Sequence, residues 1–177
     1  MTAALKGWHP GEAELQQRLG FADAIRDNWS VIKNAMSEQH RIFHTSNLHF
    51  IPVTTLDNCG RPWGSLLAGE DGSVGFATSP DETTLVVDAA VWPGDPVLTT
   101  IRAFPEDQRR RNKSASERFL IAGIGVEHAT RRRNKFAGRL KDVQKNAGSA
   151  GKFRLEFEVN QALGQVWLLN KFVVCMG

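Results

Sequence analysis

Arg61, Trp63 and Ser65 alternate along the segment Arg61-Pro62-Trp63-Gly64-Ser65-Leu66. Side chains two and four apart in an extended strand fall on one face. A guanidinium and a hydroxyl on one face are what a phosphate or a ribityl chain requires, and an indole between them can stack on an aromatic ring. A second cationic cluster, Arg131-Arg132-Arg133, follows an apolar stretch. Alternation there brings Arg131 and Arg133 to one side and sends Arg132 to the other. The distribution of charge agrees with an anionic partner. Net charge is +3, yet residues 101 to 145 hold 13 of the 22 Lys and Arg against 5 acids, which suits a phosphate-bearing cofactor or nucleic acid. The run Arg109-Arg110-Arg111-Asn112-Lys113 sits in a polar stretch without periodicity and reads as a solvated loop.

Other chemistries are set aside on residue type and spacing. Gly123-Ile124-Gly125 begins like a dinucleotide fingerprint but lacks the third glycine and a following helix signal. There is no Gly-x-x-x-x-Gly-Lys loop and no His-Glu-x-x-His or paired-cysteine spacing. His40, His44 and His49 cluster in sequence, but no carboxylate or cysteine completes a metal site. Ser65 lacks the glycine setting of a nucleophile elbow, and Cys59 reads as a surface thiol. The two cysteines cannot form a disulfide scaffold, and no leader or apolar run of membrane length is present, so the expectation is a cytoplasmic protein without a membrane partner. With 41% hydrophobic and 23% charged residues the chain is an ordinary globular one, long enough for one domain with a helical arm.

These residues need elements to position them. Pro10, Glu12, Glu14 and Gly20 mark a helix over about 10 to 19. Ala22, Ile25, Trp29, Ile32, Met36 and Phe43 recur at helical spacing and predict an amphipathic helix of roughly five turns, its stripe facing the core. Extended patterns follow at Leu48 to Leu56, Pro62 to Leu67, Ser73 to Thr78 and Thr83 to Val91, separated by turns rich in Asp, Asn and Gly. Asp95 caps, and Pro96 opens, a helix to about Ala103. Phe119 to Val126 is continuously apolar, the pattern of a strand buried on both faces. Residues 132 to 143 continue as a polar strand, and Phe153 to Val159 alternates apolar with charged. The fold class is therefore α+β, a small antiparallel barrel of six to seven strands with an N-terminal helical arm at 1–46, a barrel domain at 47–164 and an apolar tail at 165–177.

Three strings stand in one order. They are His9-Pro10-Gly11-Glu12; Ile51-Pro52-Val53 with Asp57-x-x-Gly60-Arg61-Pro62-Trp63-Gly64-Ser65-Leu66-Leu67-Ala68-Gly69; and Gly125-x-Glu127-x-x-Thr130-Arg131-Arg132-Arg133-Asn134-Lys135-x-x-Gly138. Together, over about residues 8 to 164, they resemble the pyridoxamine 5'-phosphate oxidase-like family, in the N-terminal half of its longer members. The resemblance implies an FMN-binding split barrel, with FMN held between two barrels and Arg61, Trp63, Ser65, Arg131 and Arg133 as its contacts. It implies an oxidoreductase of unassigned substrate and catalytic residues, working as a dimer or with a second split-barrel half. The chain departs from the family after Gly164, where Gln165-Val166-Trp167 replaces the usual Gly-Asn-Cys-Pro, and in the insertion around Arg109 to Lys113; a shortened or alternative product is the expectation. No Arg-x-His pair occurs, so pyridoxamine phosphate oxidation itself is not expected. Two other readings remain: a cofactor-free barrel serving as an interaction module, pairing through the tail Val166 to Met176, and a weaker one, a nucleic-acid-binding barrel, poorly supplied with stacking aromatics near the arginine runs.

Overall fold

The computed structural model describes residues 1–109, 119–145 and 151–164. Arg110 to Lys113 of the first arginine run and the apolar tail at 165–177 lie outside the described residues. Helix α1 (Pro10–Arg18) forms where the sequence supplies a start signal: Pro10 occupies the first turn, His9 Nδ1 accepts the Gly11 N–H at 3.2 Å, and Glu12 stands at the positive end of the helix dipole.

The expected five-turn helix over Ala22 to Phe43 does not form. A short 3-10 turn spans Asn28–Val31, and helix α2 covers Glu38–Ser46, its first turn capped by Ser37 Oγ, which accepts the His40 N–H at 3.3 Å. The segment between them is bound to the barrel. Lys33 N–H donates to the Ala162 carbonyl at 2.9 Å and the Lys33 carbonyl accepts the Ala162 N–H at 2.8 Å, while Met36 N–H donates to Glu82 at 2.7 Å. Asn34 N–H donates to Thr2, and Ala4 N–H to Ile32, so the first residues of the chain lie alongside. Backbone groups committed to these partners cannot close helical bonds. Met36 and Phe43 are nonetheless buried: the apolar stripe is core, without being one helix.

The strands are β1 (Phe50–Leu56), β2 (Pro62–Ala68), β3 (Ala77–Thr78), β4 (Thr84–Ala90), β5 (Leu120–Glu127), β6 (Arg132–Lys145) and β7 (Lys152–Gly164). Among the described residues they make one antiparallel sheet of seven in the order β2-β1-β5-β6-β7-β4-β3. Strand β2 comes round to lie against β4, so the sheet curls into a split barrel and the class is α+β. The core inside the curl is built from alternate residues, among them Ile51, Val53, Leu67, Val87, Leu155 and Phe157. On β7 the intervening residues face outward and pair across the sheet, Arg154 with Asp88, Lys141 with Glu156, and Arg139 with both oxygens of Glu158.

Two strand expectations are corrected. Of Ser73 to Thr78, Ala77–Thr78 alone is strand, because Gly72 and Gly75 take φ of 68° and 92° and Ser73 N–H closes a turn onto Asp71 Oδ1. Strand β5 is not buried on both faces: Ile121, Gly123 and Gly125 point inward, while Leu120 and Ala122 are exposed. Its inward positions are glycines for lack of room. A Cβ on Gly123 would overlap the Phe136 ring, and one on Gly125 would lie 2.5 Å from Leu48 Cδ1 and 2.8 Å from Phe43 Cε1. Helix α3 (Val97–Arg109) extends beyond Ala103 and opens on Asp95, whose Oδ1 accepts the Val97 N–H at 2.9 Å. No helix among the described residues is long and apolar enough to cross a membrane.

Candidate functional site

The outward face of the sheet carries a row of mostly small side chains, closed on β7 by a glutamine. Gly64 pairs with Thr54, Thr54 with Ala122, Ala122 with Ala137, and Ala137 with Gln161, one residue from each of five adjacent strands. At about 4.8 Å per strand the row is roughly 19 Å long. Beside it runs a second row in which Leu66 pairs with Pro52, and Ile124 with Lys135 and Lys135 with Leu163. These residues form the floor of an open cleft of about 1290 Å³, walled by Trp92, Pro93 and Asp95 from the β4–α3 connection. Its volume exceeds the roughly 300–1,000 Å³ usual for small-molecule sites. Because β2 is the edge strand, its inner side reaches the cleft too, through Ser65.

Polar groups in the cleft are few. Ser65 Oγ donates to Asp95 Oδ1 at 2.6 Å, and the same oxygen accepts the Val97 N–H. Glu70 at the rim is ion-paired with Lys152. Lys135 is exposed and has no ion-pair partner among the described residues. Asp95 was legible in the sequence as a helix cap and nothing more, and Lys135 was one cation of a basic run. What distinguishes them, a place in the cleft, comes from pairing between strands far apart in the chain.

The five expected contact residues are dispersed. Ser65 lines the cleft, and Arg133 stands on the outward face of β6, two residues from Lys135 and just past the lining. Arg61 precedes β2 in the β1–β2 turn, where Asp57 gathers the donors: its carboxylate accepts from Cys59 N–H, Arg61 N–H, Arg61 Nε at 2.7 Å and Trp63 Nε1 at 3.0 Å. The Trp63 indole, followed by the Arg61 amide, holds the Asp57 carboxyl well below the usual carboxylate range. Trp63 and Ser65 do share a side of β2, but Trp63 is tied to the hairpin turn. Arg131 lies in the β5–β6 turn with φ of 59°, and Arg132 turns back so that its guanidinium sits 5.1 Å from the Phe43 ring centroid. The two arginine groups occupy opposite ends of the sheet. Thr55, the partner of Trp63, lies beside Ile121, whereas Arg132 pairs with Glu127, a separation of roughly 20 Å at about 3.3 Å per residue.

A second group of polar side chains lies inside, where α2 packs on β6. His44 is 1% exposed, held edge-on between Phe43 and Phe136 at centroid distances of 5.6 and 5.4 Å. Neither of its ring nitrogens has a hydrogen-bond partner among the described residues, and His40 Nδ1 and Asn134 Nδ2 are in the same condition. Burial, followed by the neighbouring His40, pushes the His44 imidazole down to about 4. Burial and then Arg132 lower His40 as well. His49 is elsewhere, its Nδ1 against the Gly72 carbonyl at 2.9 Å. Among the described residues no three His, Cys, Asp or Glu side chains are placed to hold a metal ion. Nearby, Glu127 accepts from Thr130 and from Asn47 Nδ2, and these bonds, Thr130 first, lower its carboxyl.

No family model matches the chain, and no curated protein matches it. Among solved structures it is similar to HupZ of Group A Streptococcus, at 10% identity over 73% of this chain and 93% of that one, with a TM-score of 0.47. A point variant of HupZ gives 11% identity, 73% and 99% coverage and the same TM-score. An F420 reductase is similar at 11% identity over 72% of this chain and 98% of that one, with a TM-score of 0.43.

Proposed function

We propose that the chain is a flavin-binding split barrel whose outward cleft holds FMN. The observation that carries the reading is the cleft itself: a wide apolar floor of small residues, able to take a flat ring system, with a small number of polar groups at its margins. The residues fit the cofactor's parts. Ala122, Ala137 and Gly64 leave room for a ring to lie on the sheet, and Lys135 with Arg133 offers cations for a phosphate. Of the residues expected from the sequence, Ser65 lines this cleft and Arg133 lies just beyond it on the same face of β6, while Arg61 and Trp63 bond to Asp57 in the hairpin. FMN, when bound, supplies hydride and electron transfer; the chain's own residues bind and orient it and keep water from one face of the ring.

The test is the visible spectrum of the purified protein between about 350 and 500 nm, with FMN fluorescence titrated against protein. A flavin spectrum or saturable quenching supports the site. A colourless protein that leaves FMN fluorescence unchanged refutes it and brings forward the second reading, an interaction module. That reading draws on the exposure of Phe50, Leu66, Leu120 and, at 82%, Trp92. It requires a stable oligomer or complex without colour, read by light scattering on a sizing column.

A further inference from the structure

The few charges of the cleft are sorted by position. Asp95 stands at the β2 end, where Ser65 holds it, and Lys135 lies on β6. With the strand order β2-β1-β5-β6, three spacings separate β2 from β6, roughly 14 Å of the cleft's length. Asp95 Oδ1 already accepts two hydrogen bonds, whereas Oδ2 accepts none from the described residues. One oxygen of a half-buried carboxylate in an apolar wall is therefore left for a ligand, and an acceptor so placed favours an N–H or ammonium donor and repels an anion. At the other end the Lys135 ammonium is without an ion-pair partner among the described residues, and Arg133 is two residues along on the same face. Glu70, the remaining acid, is occupied by Lys152.

We infer that the cleft reads an elongated ligand from both ends: an anionic group at Lys135 and Arg133, and the N–H edge of a heterocycle at Asp95. This rests on the cofactor reading above and gives it a direction. For a flavin, the phosphate goes to β6 and the N3–H of the pyrimidine ring goes to Asp95. The Ser65 hydroxyl, by holding Oδ1, keeps Oδ2 free for the ring.

Three probes separate the two ends: FMN, riboflavin, which lacks the phosphate, and 3-methylriboflavin, which also lacks the N–H. Fluorescence quenching gives Kd for each with the full chain and with Lys135→Gln and Asp95→Asn; Asn keeps the cap to Val97, and melting curves confirm folding. Lys135→Gln is expected to weaken FMN about tenfold and leave riboflavin within about twofold. The FMN preference over riboflavin should shrink as salt is raised. Asp95→Asn is expected to weaken FMN and riboflavin by a common factor and leave 3-methylriboflavin unchanged. Equal loss for FMN and riboflavin in Lys135→Gln, or an indifferent Asp95→Asn, overturns the direction while leaving the flavin site standing. If no flavin is quenched by the unaltered protein, the cofactor reading fails, and the inference fails with it by a different result.

Discussion

Acidification should weaken this fold, chiefly through one buried side chain. His44 is buried between two phenylalanine rings with both nitrogens unpartnered among the described residues, and its pKa is about 4 against an ordinary 6.5. The unfolded chain takes up the proton near pH 6.5 and the folded one near pH 4, so stability is complete above the first value and falls on the way to the second. At 1.36 kcal/mol per unit the full loss is about 3 kcal/mol, of which about 2 kcal/mol is gone by pH 5. That is a large part of the roughly 5–15 kcal/mol that holds a domain together. His40, also lowered, adds to the loss in the same direction. Equilibrium urea unfolding at pH 7.5, 6, 5 and 4.5 measures the effect, and His44→Leu supplies the comparison. The variant keeps an apolar side chain between Phe43 and Phe136 and should lose most of the dependence between pH 6.5 and 4.5. Equal pH dependence in the two proteins would refute the argument.

Further outcomes follow from single contacts. Gly125→Ala forces a methyl against Leu48 and Phe43 and should destabilise by about 1–3 kcal/mol, read as a lower urea midpoint at unchanged slope. Ser37→Ala removes the α2 cap and should cost about 1 kcal/mol, with faster amide exchange in the first turn of α2. Asp57→Ala releases Arg61 and Trp63 together; the expected result is a red-shifted Trp63 emission and faster exchange at the tip of the β1–β2 hairpin, with the FMN titration unaffected because neither residue lines the cleft. A changed FMN affinity in that variant would return Arg61 and Trp63 to the site.

Local signals in the sequence were reliable where the determinant is local. The turn Asp57 to Gly60 fixes the β1–β2 hairpin, Asp95 caps α3, and the alternation from Phe153 to Val159 is that of a strand with one face in the core. The reading failed where a distant partner decides. Residues 22 to 43 have helical periodicity, but Lys33 and Met36 give their backbone bonds to Ala162 and Glu82, far along the chain. The apolar run on β5 looked doubly buried because Ala122 and Ile124 line a cleft, which hydrophobicity alone does not distinguish from a core. The cleft was legible only in part. Of the expected residues Ser65 lines it and Arg133 lies just past it, whereas Lys135 and Asp95 become neighbours of one cleft through pairings of β6, β5, β1 and β2 that no spacing in the sequence records.

The bond pair between Lys33 and Ala162 has a bearing on handling the protein. Strand β4 accompanies β7 as far as Glu158, and beyond it the free rim of β7 would present unpaired amides and carbonyls to any passing strand. Lys33 occupies that rim, and Thr2 to Ala4 lie outside it in turn. The opening residues of the chain thus act as a selvedge, the woven border that keeps a fabric from unravelling. Displacing them would expose a template for edge-to-edge association and would also release Ile32, which lines the cleft and whose carbonyl accepts the Ala4 N–H.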